Sequence, residues 1–236
     1  LFGIEMETSV VILAAGEGTR MSSSLPKAMQ FLAGKTMLGH IKQAIRGLEI
    51  DQTIIVCSPN EEERIKKADS SLDQQLIYIQ QKEPLGTGDA LKCALSKINQ
   101  DNVVLVLLGD VPLIQPETLS KLVASASKNV LTLLTAKTSS PEGYGRIIRN
   151  DKNEIVAILE DYECAENQRS INEINSGTIA FPPNKIGLWL NRLGANNKKG
   201  EYYLTDTIGF AVDDGLLVNS IHPQSIEEIF GVNDKK

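Results

Sequence analysis

Two glycines and two cations follow the first apolar segment of the chain closely, and this combination suits the binding of phosphate. Val10–Leu13 is a short, unbroken apolar run, which predicts a strand buried on both faces in a parallel sheet. Gly16 and Gly18 come next, in a loop with few side chains whose N–H groups can approach an anion closely. Arg20 and Lys27 place positive charge just behind this loop. The stretch therefore predicts a phosphate-handling site at the edge of an α/β sheet.

Two well-known phosphate motifs do not match the loop. A dinucleotide-binding fingerprint, G-x-G-x-x-G, would need a third glycine where Met21 stands. A P-loop would need G-K-[ST] after four spacer residues, and the sequence does not have it. A nicotinamide-dependent oxidoreductase and a P-loop protein are therefore excluded. What is left is the string A-A-G-E-G-T-R-M, followed by L-P-K.

The apolar pattern indicates the frame that must hold this loop. Up to about residue 136, short apolar runs alternate with segments of helical periodicity. Strands are predicted at Val10–Leu13, Thr53–Cys57, Leu76–Gln80, Val103–Leu108 and Val130–Ala136. Helices are predicted at Thr36–Leu48, at Glu61–Ala68, after Leu85–Gly88 and from Pro116. The alternation predicts an α/β fold with a Rossmann-like, mostly parallel mixed sheet flanked by helices.

The second half of the chain has a different texture. Its predicted elements are strands at Gly143–Arg149, Glu154–Glu160, Ile174–Phe181 (interrupted at Asn175–Gly177) and Leu217–Ile221, and a helix at Glu201–Asp213. Neither a low-complexity linker nor an internal repeat divides the chain. We expect one domain, residues 1–236, in which a smaller lobe of about residues 137–236 lies over the open edge of a lobe of about residues 1–136.

Composition restricts the class of protein. The 236 residues include 30 acidic and 24 basic side chains, a net charge of −6, which argues against a general nucleic-acid or anionic-membrane surface. The sequence contains neither an apolar run near the ~20 residues of a membrane span nor a signal peptide. Cys57, Cys93 and Cys164 are widely spaced, which favours free thiols in a reducing compartment. We expect a cytoplasmic protein.

The loop and several later strings resemble a known family. Residues 14–27 resemble the signature of the sugar-1-phosphate nucleotidyltransferases, most closely the pyrophosphorylase domain of the bacterial N-acetylglucosamine-1-phosphate uridyltransferases. The similarity continues in order along nearly the whole chain, through Leu85–Gly88, Gly109–Ile114, Gly143–Ile147, Glu173–Gly177, Gly200–Asp206, His222–Gln224 and Gly231–Asn233. It implies a fold of the nucleotide-diphospho-sugar transferase type, whose smaller lobe binds the sugar.

The resemblance also implies a reaction. UMP would pass from UTP to N-acetylglucosamine 1-phosphate, giving pyrophosphate and UDP-N-acetylglucosamine, a precursor for cell-wall and lipopolysaccharide synthesis. Such a transfer needs in-line placement, a cation between the phosphates and fixed donors where charge develops. The nucleophile is a phosphate oxygen that is already ionised, so no general base is required. This agrees with a sequence in which we find no Ser/His/Asp or Cys/His set.

The resemblance further implies which residues bind each part of the substrates. Nucleotide binding is implied for two loops, with the residues Leu13, Ala15, Gly16, Gln81, Gly86 and Thr87. Sugar binding is implied for Gly145, Glu160, Asn175 and Thr205. The implied catalytic residues are Arg20 and Lys27, which would stabilise the triphosphate and the charge that passes to pyrophosphate.

A carboxylate and an amide are the candidate ligands of a metal ion. Asp110 comes just after the most apolar strand, at the edge where open α/β sheets bind ligands. Together with the side-chain amide of Asn233 it suits Mg²⁺, which takes few protein ligands and keeps phosphate and water in its shell. We therefore expect Mg²⁺ as the cofactor, held by Asp110 and Asn233.

Several departures from the family pattern leave the substrate open. Pro84 stands where some members carry a base-contacting Gln, and Asp89 where His is usual; Leu108 stands where Tyr is frequent, and Tyr162 where a Lys is common. These departures allow another sugar 1-phosphate or another base. A catalytically silent sugar-nucleotide sensor is the alternative from a different class, although the full set of cations and metal ligands argues against it.

The hexapeptide repeats of the bifunctional relatives are not in this sequence, which stops after Gly231–Asn233. In those relatives the repeats acetylate glucosamine 1-phosphate and form trimers. We expect no acetyltransferase activity from this chain, which is either a natural single-function protein or a fragment. The sequence does not indicate protein partners.

Overall fold

The computed structural model describes residues 7–16, 25–68 and 76–232. Two of the predicted functional residues, Arg20 and Asn233, lie outside these ranges.

A mixed sheet forms the centre of the described part of the chain, where it has nine strands. The strands of the described residues are β1 (Thr8–Leu13), β2 (Phe31–Leu32), β3 (Lys35–Thr36), β4 (Ile50–Cys57), β5 (Leu76–Gln80), β6 (Val103–Leu108), β7 (Val130–Lys137), β8 (Arg146–Arg149), β9 (Ile155–Leu159), β10 (Glu173–Phe181) and β11 (Leu217–Ile221). The main sheet has the order β11-β7-β10-β6-β1-β4-β5, whereas β2 and β3 form a separate hairpin.

Four of the six neighbouring pairs in this order are parallel. Strand β1 lies inside the sheet and pairs in parallel with both β4 and β6. Strand β10 is antiparallel to both of its neighbours in this order, β6 and β7. The hairpin of β8 and β9 joins the sheet where Arg146 pairs with Ile174 of β10. The predicted α/β class and the mostly parallel mixed sheet are therefore confirmed.

Helices cover both faces of the sheet. The α-helices of the described residues are α1 (Met37–Ile45), α2 (Glu62–Ala68), α3 (Thr87–Ala94), α4 (Pro116–Ser125), α5 (Glu166–Arg169), α6 (Ile186–Leu190) and α7 (Asp206–Asp213), of which α5 buries no residue. Successive residues of β1 point to opposite faces, as the period of a strand requires. Val11 and Leu13 pack in one hydrophobic cluster, and Val10 and Ile12 in the other. The β1 strand is consequently buried on both faces, and its carboxyl end delivers the loop at Ala14–Gly16 to the edge of the sheet.

The predicted elements differ from the observed ones mainly in the second half. The helix predicted from Glu201 begins only at Asp206, because the backbone of 201–204 pairs with the loop before α3 instead of forming a helical turn. The interruption predicted at Asn175–Gly177 is a shift of register within the continuous strand β10. The β2–β3 hairpin and helix α6 were not predicted, since both are too short to show a period.

The division into two lobes stays a prediction. Strands β10 and β11 belong to the second half of the sequence, yet both lie in the main sheet beside β7. Within the part of the chain that the structure describes, none of the helices is long and apolar enough to cross a membrane.

Candidate active site

Two cavities open at the carboxyl ends of β1 and β6. The first, here called the nucleotide-side cavity, has a volume of about 380 Å³ and extends from Leu13 to Gln81 and Tyr203. The second, here called the sugar-side cavity, measures about 460 Å³ and extends from Tyr144 to Asn175 and Gly231. This is the edge of an open α/β sheet at which ligands usually bind.

The predicted binding residues line the two cavities, and Thr87 and Glu160 line both. All six residues predicted to bind the nucleotide line the nucleotide-side cavity: Leu13, Ala15, Gly16, Gln81, Gly86 and Thr87. All four residues predicted to bind the sugar line the sugar-side cavity: Gly145, Glu160, Asn175 and Thr205. Their roles stay predictions, but their grouping matches the two halves of the predicted substrate pair.

Asp110 lies where the two cavities meet. It lines both of them, as Thr87, Leu108 and Glu160 also do. Its carboxylate accepts a hydrogen bond from the ammonium of Lys27, and the two side chains are 29% and 15% exposed. A fixed carboxylate and a fixed cation therefore face the position at which a nucleotide phosphate and a sugar phosphate would come together.

The loop before α3 and the first turn of α3 are joined to the segment before α7. The amide of Tyr202 donates to the carbonyl of Leu85 at 2.8 Å, and the carbonyl of Tyr202 accepts from the amide of Gly88 at 2.8 Å. The hydroxyl of Thr87 accepts from the amide of Leu204 at 3.2 Å. This seam, residues 85–88 with 202–204, fixes Gly86 and Thr87 on the nucleotide side relative to Thr205 on the sugar side.

Gln81 is held by the same loop. Its side-chain amide donates to the carbonyl of Gly86 at 3.1 Å and to the carboxylate of Asp89 at 2.8 Å. Asp89, where the family pattern usually has His, thus anchors the residue predicted to face the base. Both contacts use the amide nitrogen, and among the described residues no hydrogen bond occupies the carbonyl oxygen of Gln81, which can act as an acceptor in the cavity.

A tight turn presents the predicted sugar-binding Asn175. The backbone amide of Asn175 donates to the carbonyl of Gly145 at 2.8 Å, and its side-chain oxygen accepts from the amide of Gly177 at 3.2 Å. Gly177 has a φ of +83°, and a Cβ there would lie 2.4 Å from a methyl group of Leu108. The register shift in β10 therefore needs glycine, and it brings the β10 turn against the end of β6.

Glu160 is half-buried, close to other acidic residues. Burial raises the pKa of its carboxyl above the ordinary value, and the Thr205 hydroxyl, which donates to Oε1 at 2.7 Å, opposes part of that rise. Burial likewise raises the pKa of Asp206, and the charges of Glu160 and Glu163 raise it further. The ionised form of Glu160 thus costs free energy in the empty protein, and a ligand that donates hydrogen bonds to it would recover that cost.

We expect Glu160→Gln to stabilise the unliganded protein by about 1 kcal/mol at pH 8 while weakening sugar binding. Because the folded protein has the higher pKa, it binds more protons than the unfolded chain, so this site costs stability as pH rises. Thermal unfolding at about pH 8 should show the gain in Tm, and the gain should vanish below the ordinary pKa of glutamate. A variant that is less stable than wild type at pH 8 would contradict this account.

Arg146 ties the loop that carries Glu160 to the β8 strand. Its side chain is 1% exposed, and it donates to Asp161 Oδ1 at 2.9 Å and to the carbonyl of Tyr144. Asp161 directly follows Glu160 in the chain. This buried guanidinium therefore positions the end of β9 beside the sugar-side cavity.

Replacing Arg146 by methionine should destabilise the protein by about 2 kcal/mol, because Asp161 and a buried carbonyl lose their donor. Arg192→Met is the matched control, since Arg192 is 39% exposed, pairs with Asp214 and lies over the Phe210 ring, and should cost under about 1 kcal/mol. Urea unfolding of both variants measures the difference. Equal losses would mean that the Arg146 pair is no stronger than a surface pair.

The donor set at the junction of the cavities fits a hard divalent cation. Among the described residues, the structure has no group of three or more His, Cys, Asp or Glu side chains that could hold a metal ion. Mg²⁺ does not require one, since it is usually bound by one or two carboxylates together with substrate phosphates. Asp110 supplies such a carboxylate, and its carbonyl accepts from the amide of Val232 at 2.8 Å. The chain thus returns to Asp110 one residue before Asn233, which itself lies outside the described residues.

Sequence reasoning missed three residues of the site. Tyr203, Lys199 and Glu201 line the nucleotide-side cavity. The Tyr203 hydroxyl is buried and has no hydrogen-bond partner among the described residues, and burial raises its pKa. The only sequence signal for these residues was their position in or beside the string Gly200–Asp206, which resembles the family. Because a helix was predicted there, they were not singled out as site residues.

Comparison with known proteins agrees with this geometry. A family model described as the MobA-like NTP transferase domain matches residues 10–171. The chain is 44% identical over 233 residues to Bifunctional protein GlmU of Pseudomonas aeruginosa strain LESB58, and 43% identical over 230 residues to the protein of that name in Stutzerimonas stutzeri strain A1501. Each comparison covers 98% of this chain and 50% of the relative, so the chain spans about half the length of the curated relatives it matches. The family match includes the loop after β1 and the carboxylate after β6. The chain therefore belongs to the MobA-like NTP transferase domain family and is a nucleotidyltransferase.

Proposed function

We propose that this chain transfers UMP from UTP to N-acetylglucosamine 1-phosphate, giving UDP-N-acetylglucosamine and pyrophosphate. The observation that carries the proposal is the meeting of two cavities at Asp110, one lined by the predicted nucleotide residues and the other by the predicted sugar residues. The identity to GlmU supports substrates of the nucleotide and sugar-phosphate classes. The reaction belongs in the cytoplasm, where these phosphorylated substrates are available.

In the proposed step, an oxygen of the sugar phosphate attacks the α-phosphorus of UTP. A new P–O bond forms as the bond between the α-phosphorus and the bridging oxygen breaks, and the electron pair leaves with pyrophosphate. The protein's task is to bring the two phosphates into line and to stabilise the charge that moves to the leaving group. Lys27, fixed by its ion pair with Asp110, supplies positive charge next to the junction of the cavities.

The other described residues orient the two substrates. The loop from Ala14 to Gly16 offers backbone donors at the carboxyl end of β1. The Gln81 oxygen and the loop of Gly86 and Thr87 face the nucleotide. Glu160 and Thr205, hydrogen-bonded to each other, face the sugar. Arg20 would add a second cation, and its role rests on the sequence alone.

Nucleotidyltransferases of this family generally use a divalent metal ion. We propose Mg²⁺ for this chain, with Asp110 and Asn233 as its protein ligands. When bound, the ion would screen the negative charge that the approaching phosphates share. The carboxylate at the junction of the cavities supports this choice, since carboxylate oxygen and phosphate are ligands that Mg²⁺ prefers.

A matrix of nucleoside triphosphates against sugar 1-phosphates tests the substrate pair. Pyrophosphate release should be fastest with UTP and N-acetylglucosamine 1-phosphate in the presence of Mg²⁺. A faster reaction with another pair would replace the substrate assignment, and Pro84 in the nucleotide-side cavity and Tyr162 in the sugar-side cavity are where such a change would arise. Binding of UDP-N-acetylglucosamine without turnover of any pair would instead indicate a sensor.

A further inference from the structure

The sugar-side cavity is negatively charged for a site that must receive a phosphorylated ligand. Asp110, Glu142 and Glu160 line it, whereas none of the described residues that line it is a lysine or an arginine. The raised pKa of the Asp206 carboxyl, caused by burial and then by Glu160 and Glu163, reflects the same accumulation of negative charge. Among the described residues, the cations that could attract the phosphate of the sugar therefore line the adjoining cavity.

Two cations among the described residues line that adjoining cavity, Lys27 and Lys199. Lys27 already pairs with Asp110. Lys199 enters from the segment before α7. Lys199 and Glu160 line this same cavity, and the positive charge of Lys199 opposes the rise that burial causes in the pKa of Glu160. Since Glu160 lines both cavities, Lys199 lies beside the boundary that the sugar phosphate must reach.

Tyr162 holds the ammonium group of Lys199 without neutralising it. The ammonium nitrogen lies 4.1 Å from the centroid of the Tyr162 ring, and that ring is part of the sugar-side lining. A cation–π contact attracts the charge but leaves the N–H groups free to donate to an oxyanion. The neighbouring residue Lys198 fixes the arrangement, because its backbone amide donates to Glu163 Oε1 at 2.9 Å and its ammonium donates to the carbonyl of Tyr162.

We propose that Lys199 contacts the substrate by binding the phosphate group of the sugar 1-phosphate, and that Tyr162 positions it for this contact. The inference rests on the proposed function for the class of substrate, but it depends only on the phosphate and not on which sugar carries it. It assigns to this chain a second phosphate-binding cation in the cavity that Lys27 also lines.

Kinetics of Lys199→Gln and Tyr162→Leu test the proposal. We expect the KM for the sugar 1-phosphate to rise about tenfold in Lys199→Gln, with a small change in kcat and an unchanged KM for the nucleotide. Raised salt should weaken sugar-phosphate binding more in wild type than in this variant, because one charge contact has been removed. Tyr162→Leu should raise the same KM by about threefold, and Tyr162→Phe, which keeps the ring, should restore it.

Two control variants distinguish a direct contact between Lys199 and the phosphate from an effect on the structure of its loop and from an effect of the protein's net charge. Lys198→Gln removes the anchor beside Lys199, and Lys152→Gln removes an exposed cation in the β8–β9 turn. The proposal fails if Lys199→Gln keeps the wild-type KM, if Lys198→Gln loses as much as Lys199→Gln, or if Tyr162→Phe is as impaired as Tyr162→Leu.

The assay of nucleoside triphosphates against sugar 1-phosphates distinguishes a failure of the proposed substrate from a failure of the proposed role of Lys199. If wild type prefers another sugar 1-phosphate, the proposed sugar is wrong, and the variants are compared with that substrate instead. The dissociation constant of UDP-N-acetylglucosamine, measured by calorimetry, provides a readout without turnover, and it should rise in Lys199→Gln while that of uridine stays unchanged. Equal dissociation constants for wild type and Lys199→Gln would overturn the inference, whatever the turnover.

Discussion

Asp110→Asn should lower kcat about a thousandfold while the folded protein remains stable. The substitution keeps the shape of the side chain but removes the charge that pairs with Lys27 at the junction of the two cavities. It leaves the backbone carbonyl that accepts from Val232 untouched, so the return of the chain to this point should persist. Pyrophosphate release measures kcat, and thermal unfolding checks the fold.

The control for this loss is Asp151→Asn, which removes one negative charge from an exposed turn and should leave turnover unchanged. The concentration of Mg²⁺ that gives half-maximal activity should rise steeply in Asp110→Asn and not in the control. Wild-type turnover in Asp110→Asn would remove Asp110 from both catalysis and metal binding. If turnover is lost but the requirement for Mg²⁺ is unchanged, Asp110 acts through its ion pair with Lys27 and is not a ligand of Mg²⁺.

Lys27→Met combined with Asp110→Asn distinguishes a pair that acts as a unit from two independent residues. If the ammonium and the carboxylate act together, the double variant should be about as slow as the slower single variant. If each stabilises a different part of the reaction, the two losses in free energy should add. The contact between the two side chains favours the first outcome.

Site residues that directly follow a predicted strand could be placed at the edge of the sheet from the sequence. Site residues on the segment before α7 could not. Asp110 follows an apolar run that forms β6, and parallel strands end at the same edge, so its position beside Ala15 and Gly16 follows from the strand pattern alone. Tyr203 lies on a segment whose Leu204 pairs with Thr87, 117 positions earlier in the chain, and Lys199 packs against Tyr162, between β9 and α5. The periodicity of neighbouring residues carries no information on such distant contacts, and the pattern of Glu201–Asp213 predicted a helix in place of the extended segment. Arg20 and Asn233 stay predictions from sequence.

The seam between residues 85–88 and 202–204 also explains why Gly86 has to be glycine. Its φ of +107° and ψ of 173° lie in a region that other residues essentially do not adopt. A Cβ there would lie 2.7 Å from the carbonyl oxygen of Tyr202, which already accepts from the amide of Gly88. An added methyl group therefore meets backbone on the opposite segment, where no flexible side chain can move aside.

Gly86→Ala should consequently destabilise the protein by about 3 kcal/mol and lower kcat/KM for the nucleotide by about a hundredfold. Gly215→Ala is the matched control, because Gly215 also has a positive φ, +77°, but a Cβ there would meet nothing within 4 Å. It should cost about 1 kcal/mol and leave the kinetics unchanged. Urea unfolding of both variants measures the loss of stability that backbone strain causes. Nucleotide titration of both variants shows whether the seam has also opened. If Gly86→Ala matched Gly215→Ala in both measurements, the seam would not be what holds the nucleotide loop against the sugar side, and the two cavities could be positioned independently.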